Sequence, residues 1–295
     1  MRVTQSMLSG NLLRNLSSSY SKLDKLQEQI NTGKKVTRPS DDPVVAMKGI
    51  GYRTDLNNVE QYSRNIGEAY NWLDTTDDTF DKIGSTLQRA NELMVQATSD
   101  TTTPEDRKKI NSELKQLREH VQSLANTKIG ERYIFSGTKT TTAPYQDGVG
   151  YDTNVVDNAF NKSIEIQVFD GINIQINTTP IGIFKEIDQM FEQIDKDITS
   201  EADSSTLSAH LTTIDDNLNK LLNTRADIGA RQNRVELMDE RLQTQEIIAT
   251  KLMSQNEDVD YEEAIVEMTT QESILRAALS AGANIIQPTL VDFIK

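Results

Sequence analysis

The chain has 295 residues, carries a net charge of −14, is 36% hydrophobic and 5% aromatic, and contains no cysteine. The acidic balance argues against nucleic acid as a partner, and the missing thiols exclude disulfides, thiol catalysis and cysteine-held metals. So small an apolar fraction predicts long helices packed along seams in place of one compact core, and no apolar run approaches the length of a membrane span.

In chain order, the first element is an amphipathic helix between Thr4, a plausible N-cap, and Gly33, a plausible stop just past the C-terminus. Leu8, Leu12, Ser19, Leu23, Leu26 and Ile30 form its stripe, and Leu16 and Tyr20 widen it. Gly10 and the run Ser17, Ser18, Ser19 lower helix propensity, so this helix should be weak alone and firm when packed. Residues 1–15 contain no apolar h-region, which argues against a Sec-type signal peptide. Arg38, Pro39, Ser40, Asp41, Asp42 and Pro43 follow as a hinge. Two prolines four residues apart interrupt any helix, and Asp42–Pro43 reads as N-cap and first helical residue, where proline lacks only an orphan donor.

Val44 to Thr98 reads as one helix. Val59, Ile66, Leu73, Phe80, Leu87 and Met94 recur every seven residues, and Tyr62, Ala69, Thr76, Ile83, Ala90 and Ala97 follow each by three. Such sustained heptads predict a coiled coil, here a rod on the order of 80 Å. Thr103, Pro104 and Asp106 form a capping-box pattern that opens the next helix. Its slots are Ile110, Leu114, Leu117, Val121, Leu124 and Lys128, and the short break predicts an antiparallel hairpin on the long helix.

The period changes after Gly130. Tyr133–Gly137 reads as a strand. Ile164, Ile166 and Val168, then Ile172, Ile174 and Ile176, alternate with polar residues around Asp170–Gly171, which predicts a β-hairpin with a two-residue turn. Helix returns with Ile183, Phe184, Ile187, Met190, Phe191 and Ile194. A second heptad series, Leu207, Ile214, Leu221, Ile228, Val235, Leu242 and Ala249, has apolar companions at Leu211 and Leu218 but polar ones at Arg225, Gln232, Asp239 and Glu246. Its seam should be tight below residue 222 and more polar beyond.

An acidic break at 256–260 leads to the tail helix, with Asp260 and Glu263 as another capping-box pattern. Tyr261, Ile265, Met268, Leu275, Leu279 and Ile286 form one stripe of the tail. Ala264, Met268, Gln271, Leu275, Ala278, Gly282 and Ile285 form a second, smaller one. Two stripes on one helix call for more than one partner. The expected organisation is mainly α: long antiparallel coiled-coil rods, paired terminal helices and a small β-rich insertion. The parts divide as 1–42 and 256–295 (the halves of a terminal helical region), 43–137 and 182–255 (the rods) and 138–181 (the insertion). A chain folded back at the insertion brings its ends together. Those ends are electrostatic complements, with seven basic against two acidic groups in 1–38 and eight acidic against two basic in 255–295. Charge can steer such a pairing.

No catalytic constellation emerges. His120 and His210 lack metal-ligand spacing and read as solvated or cap-like, no phosphate-cradling glycine loop occurs, and Trp72 reads as a flank of the rod seam. The expectation is a non-enzymatic chain without cofactor, metal site or membrane contact. Its sites would be the two terminal stripes, as assembly interface, and the hinge.

The hinge Arg38–Pro43 behind an amphipathic helix resembles that of the hook-associated protein 3 family, the hook–filament junction proteins of bacterial flagella and relatives of flagellin. Residues 130–137, 228–234, 258–264 and the ending Leu290, Val291, Asp292, Phe293, Ile294 agree with it in order and spacing. The resemblance implies that the terminal helices form the inner core of a tubular ring of subunits, with the rods around them and the insertion outermost. It implies type III export without a cleaved signal and a cytoplasmic export chaperone. It also implies secretion to the hook–filament junction, with hook-associated protein 1 on one side and flagellin on the other. Flagellin itself is the rival. Flagellins have small residues and glycine after the hinge Asp-Asp and end in Leu-Leu-Arg, unlike Pro43, Val44, Val45 and the ending Asp292, Phe293, Ile294, Lys295 here.

Overall fold

The computed structural model describes residues 5–99, 102–151 and 162–285. The fold is mainly α. Its helices are α1 (Gln5–Thr32), α2 (Pro43–Thr98), α3 (Pro104–Ala125), α4 (Ile181–Thr199), α5 (Ser204–Glu257) and α6 (Tyr261–Ile285). Between α3 and α4 lie β1 (Lys128–Ile129), β2 (Arg132–Tyr133), β3 (Tyr145–Gln146), β4 (Gly150–Tyr151), β5 (Glu165–Phe169) and β6 (Ile172–Gln175). They pair as three separate antiparallel two-stranded ribbons, β1–β2, β3–β4 and β5–β6. The chain forms two compact units, one from residues 1–58 with 245–295, the other from 59–244. Helices α2 and α5 each run through from one unit into the other.

The larger unit is organised by the two heptad series. Every α2 heptad position from Val59 to Met94 is buried, as is every α5 position from Leu207 to Leu242. The helices run antiparallel, because Asn91 donates to Asp215, Arg225 to Asp77 and Asp81, and Gln232 to Asp74. The polar companions beyond residue 222 are thus used: Arg225 Nε lies 2.7 Å from Asp77 Oδ1 and Nη1 lies 2.5 Å from Asp81 Oδ1. Those two carboxylates hold the guanidinium pKa above its ordinary range.

Helix α3 folds back on α2. Thr103 Oγ1 accepts from the Asp106 amide, Arg107 donates to the Ala97 carbonyl and Arg89 pairs with Glu113 at 2.8 Å. Helix α4 runs antiparallel to α3, joined by Arg118 forked onto Asp188 at 2.7 and 2.9 Å and by Asn111 on Asp195 at 2.6 Å. Four helices therefore share one core in this unit, which heptads on two of them could not announce. Phe80, Phe135 and Phe184 close it from α2, the β region and α4.

Two local expectations change. The strand expected over Tyr133–Gly137 is only β2, because Ile134 and Phe135 are consecutive and both buried. A strand would turn them to opposite faces, whereas both belong to the one core of this unit. The segment instead turns through Gly137 at φ +55°, and Ser136 donates to the Thr142 carbonyl. His210 is not solvated: it is buried, with Nε2 2.7 Å from Asp197 Oδ2, and so ties the start of α5 to the end of α4. The last α3 slot, Lys128, falls in β1 because the helix stops at Ala125. The β5–β6 hairpin forms with Phe169 opposite Ile172 and Gly171 at φ +70° in the two-residue turn. Trp72 lies buried beside the seam and lines a cleft of about 540 Å³ with Ile129, Ile164 and Ile176.

Candidate assembly interface

The smaller unit holds the chain ends. Helix α1 stops where Gly33 takes φ +69° and donates its amide to the Gln29 carbonyl at 2.8 Å, a glycine C-terminal cap. Helix α6 starts where Asp260 Oδ1 accepts from the Glu262 and Glu263 amides at 3.0 and 3.2 Å. The helices pack antiparallel: Tyr261 meets Gly33 at one end and Leu12 meets Gly282 at the other. A Cβ on Gly282 would come within 2.6 Å of Leu12 Cδ2, so the Leu12 side chain sits directly on the Gly282 backbone.

On α1, Leu26 is buried and Leu12, Leu16, Leu23 and Ile30 are half-buried, while Leu8 is 44% exposed. On α6 the smaller stripe does the packing: Ala264 and Gly282 are buried, and Met268, Gln271, Leu275 and Ala278 are half-buried. The larger stripe shares Met268 and Leu275 but leaves Tyr261, Ile265 and Leu279 exposed. Ile286 lies outside the described residues. A close intramolecular pair therefore uses the small residues, and the large ones are left to solvent, together with Leu13 and Tyr20 of α1 and Val266 and Ile274 of α6.

The hinge residues form a tight turn. Asp41 Oδ2 accepts the Arg38 amide at 3.2 Å, and the Asp41 amide donates to the Arg38 carbonyl at 2.9 Å. Asp42 Oδ1 caps α2 through the Val44 and Val45 amides at 2.9 and 3.1 Å, with Pro43 as the first helical residue. Arg38, Pro39, Ser40, Asp41 and Pro43 are exposed and Asp42 half-buried.

Between α1 and the hinge, the chain is clamped to the end of α5. The Lys35 amide donates to the Glu257 carbonyl at 2.6 Å, and the Val259 amide to the Gly33 carbonyl at 3.0 Å. Around this bridge Lys34 Nζ lies 2.7 Å from Asp258 and 3.5 Å from Glu257, and Arg53 Nη2 lies 2.6 Å from Glu257. Glu257 is buried, its carboxylate set over Gly49, where any Cβ would collide with it. The hydrogen bond that Lys34 donates to Asp258 raises the Lys34 pKa and lowers that of Asp258.

The clamp is the part that sequence reading missed. Glu257 and Arg53 are 204 positions apart, and no local spacing links them. It is also where the charge asymmetry of the chain ends is realised, in the Lys34 pairs. Arg14, Lys22 and Lys25 of α1 make no ion pair among the described residues, and Glu262, Glu263 and Glu267 of α6 make none either. Among those residues no group of three His, Asp or Glu is placed to hold a metal ion, and no helix is long and apolar enough to cross a membrane.

An antiparallel pair of terminal helices, with large apolar residues outside and a clamp to the end of α5, defines a mainly helical structural protein without a catalytic cluster among the described residues. The family profile for the bacterial flagellin N-terminal helical region matches residues 3–140, and that for the flagellin C-terminal helical region matches 211–294. The chain belongs to the flagellin-like family of bacterial flagellar proteins. It is 28% identical to flagellar hook-associated protein 3 of Escherichia coli, over 95% of this chain and 96% of that protein. It is 27% identical to a flagellin of Bacillus subtilis, over 96% of each. Among solved structures, the flagellar junction protein FlgL from Legionella pneumophila matches with a TM-score of 0.55 at 15% identity, over 72% of this chain and 100% of that one.

Proposed function

We propose that this chain is a structural adaptor joining the flagellar hook to the flagellin filament, without catalytic activity. The carrying observation is the terminal pair, which spends its small residues within the chain and leaves Tyr261, Ile265 and Leu279 exposed for other subunits. Its partners would be hook-associated protein 1 on the hook side, flagellin on the filament side and further copies of itself in a ring. An export chaperone would cover the apolar tail before secretion through the flagellar type III apparatus. The terminal stripes are the proposed assembly residues, with Arg38–Pro43 as the hinge that sets the helix pair against the start of α2.

The second reading is flagellin, the filament subunit, favoured by the two flagellin profiles. The hinge weighs against it, since Pro43 with Val44 and Val45 stand where flagellins carry small residues and glycine. Deleting the gene separates the two. An adaptor leaves complete hooks, no filaments and flagellin shed into the medium. Normal filaments on the deletion strain would sink the proposal, and purified chain that grows long filaments by itself would favour flagellin.

A further inference from the structure

The cleft beside Trp72 is built wholly from residues of the 59–244 unit. Glu68, Asn71 and Trp72 fall three and four residues apart on α2, so they share one face of that helix. The other walls come from the ribbons and are fixed by backbone hydrogen bonds. Ile129 pairs with Arg132 in β1–β2. The Tyr133 amide donates to the Thr140 carbonyl at 2.8 Å, and the Ile176 amide to the Ile164 carbonyl at 3.0 Å. The cleft is thus preformed, and its volume of about 540 Å³ is ordinary for a small-molecule site. Its lining has two chemistries. Trp72 with Ile129, Ile164, Ile166 and Ile176 supplies an apolar surface. Around it stand Glu68, Asn71, Glu131, Arg132 and Thr140, whose side chains make no hydrogen bond or ion pair among the described residues. Elsewhere in the unit such groups are used by the fold, as Arg118 is on Asp188 and Arg225 on Asp77.

We propose that this cleft binds a short neutral oligosaccharide. A carboxylate only accepts hydrogen bonds, a guanidinium only donates them, and an amide or hydroxyl does both. A molecule that answers all of these carries donors and acceptors side by side, as the vicinal hydroxyls of a pyranose ring do. The same ring presents flat C–H faces, which are apolar and pack against an indole and against the isoleucines. A lipid tail would fill the apolar part but strip water from the polar side chains without replacing its hydrogen bonds. Charge narrows the choice. Glu68 and Glu131 stand against the single cation Arg132, so a sugar bearing a carboxylate or sulfate is disfavoured relative to a neutral one. The site shares no residue with the terminal stripes or the hinge, and the proposal stands whether or not the adaptor reading does.

Trp72 is the chain's single tryptophan, so full-length protein labelled with nitrogen-15 at tryptophan gives one indole N–H resonance. That buried N–H has no hydrogen-bond partner in the fold, and its signal reports the surroundings of the ring alone. Maltose, cellobiose, lactose and N,N′-diacetylchitobiose are titrated in turn, with a heparin disaccharide as the anionic arm. At least one of the four neutral sugars should shift the resonance saturably, with half-saturation on the order of millimolar. Glu68→Ala combined with Arg132→Ala should weaken that titration roughly tenfold. The thermal midpoint of this variant should equal that of the wild type, since both side chains are exposed. Three results would each overturn the proposal: no saturable shift with any of the four sugars, an unchanged titration in the double variant, or a heparin disaccharide that binds as tightly as the best neutral sugar.

Discussion

Glu257 is a sensitive point of the terminal unit. Its side chain is 7% exposed, 2.6 Å from Arg53 and 3.5 Å from Lys34. In Glu257→Gln the shape over Gly49 is kept and only the charge is lost. Hydrogen bonds to charged groups contribute about 1.5–3 kcal/mol and neutral ones about 0.5–1.5. Lys34 and Arg53 are 35% and 60% exposed, so water partly compensates them and the lower end applies. The expected loss is about 1 kcal/mol for Gln and about 2 kcal/mol for Ala, which also gives up the contact with Gly49. In opening equilibria these are factors of roughly five and thirty. Hydrogen exchange read by mass spectrometry should show residues 5–32 and 261–285 exchanging faster by these factors, while the α2 segment 73–94 is unchanged. Equal acceleration in 73–94, or none in the terminal helices, would refute the view that the clamp supports the helix pair locally.

The clamp also sets a pH window. The depressed Asp258 contributes stability present above its ordinary value of 3.8 and lost as pH falls through its lower folded value. The raised Lys34 contributes stability present below 10.5 and lost as pH rises through its higher folded value. Protection of α1 and α6 should therefore be flat between about 4 and 10 and fall at both ends, as exchange or circular dichroism can check. Leu279→Asp should leave the monomer's melting unchanged and abolish assembly on hooks, whereas Leu275→Asp, half-buried against α1, should also weaken the monomer's helix pair. Phe135→Ala should cost about 3–5 kcal/mol, measured by denaturant unfolding of the 59–244 unit. Limited proteolysis should trim the chain ends before it cuts that unit, whose core holds most of the buried apolar side chains; simultaneous cleavage would contradict this.

Much of this was legible from local pattern. A heptad series needs only its own spacing to announce a buried seam, and the positions from Val59 to Met94 and from Leu207 to Leu242 are buried as that spacing implies. Caps and tight turns are equally local, so Gly33, Asp42, Thr103, Asp260 and the Asp170–Gly171 turn fall where their chemistry places them. Reading failed where burial depended on distant neighbours. Ile134 and Phe135 looked like strand residues, but Phe135 is claimed by Phe80 and Phe184 from two helices, and His210 is claimed by Asp197 of α4.

The sequence by itself thus determined the helices, their seams and the presence of two stripes on the tail. Only the tertiary structure decided which stripe serves the chain and which is left over. That choice follows from the room that small residues leave for the side chains of α1. Gly282 leaves space that the Leu12 side chain fills, a Cβ there would push it out, and that contact gains dispersion energy that a larger residue would forfeit. The same fold brings Glu257 to Lys34 and Arg53 across more than two hundred residues, a proximity no spacing rule contains.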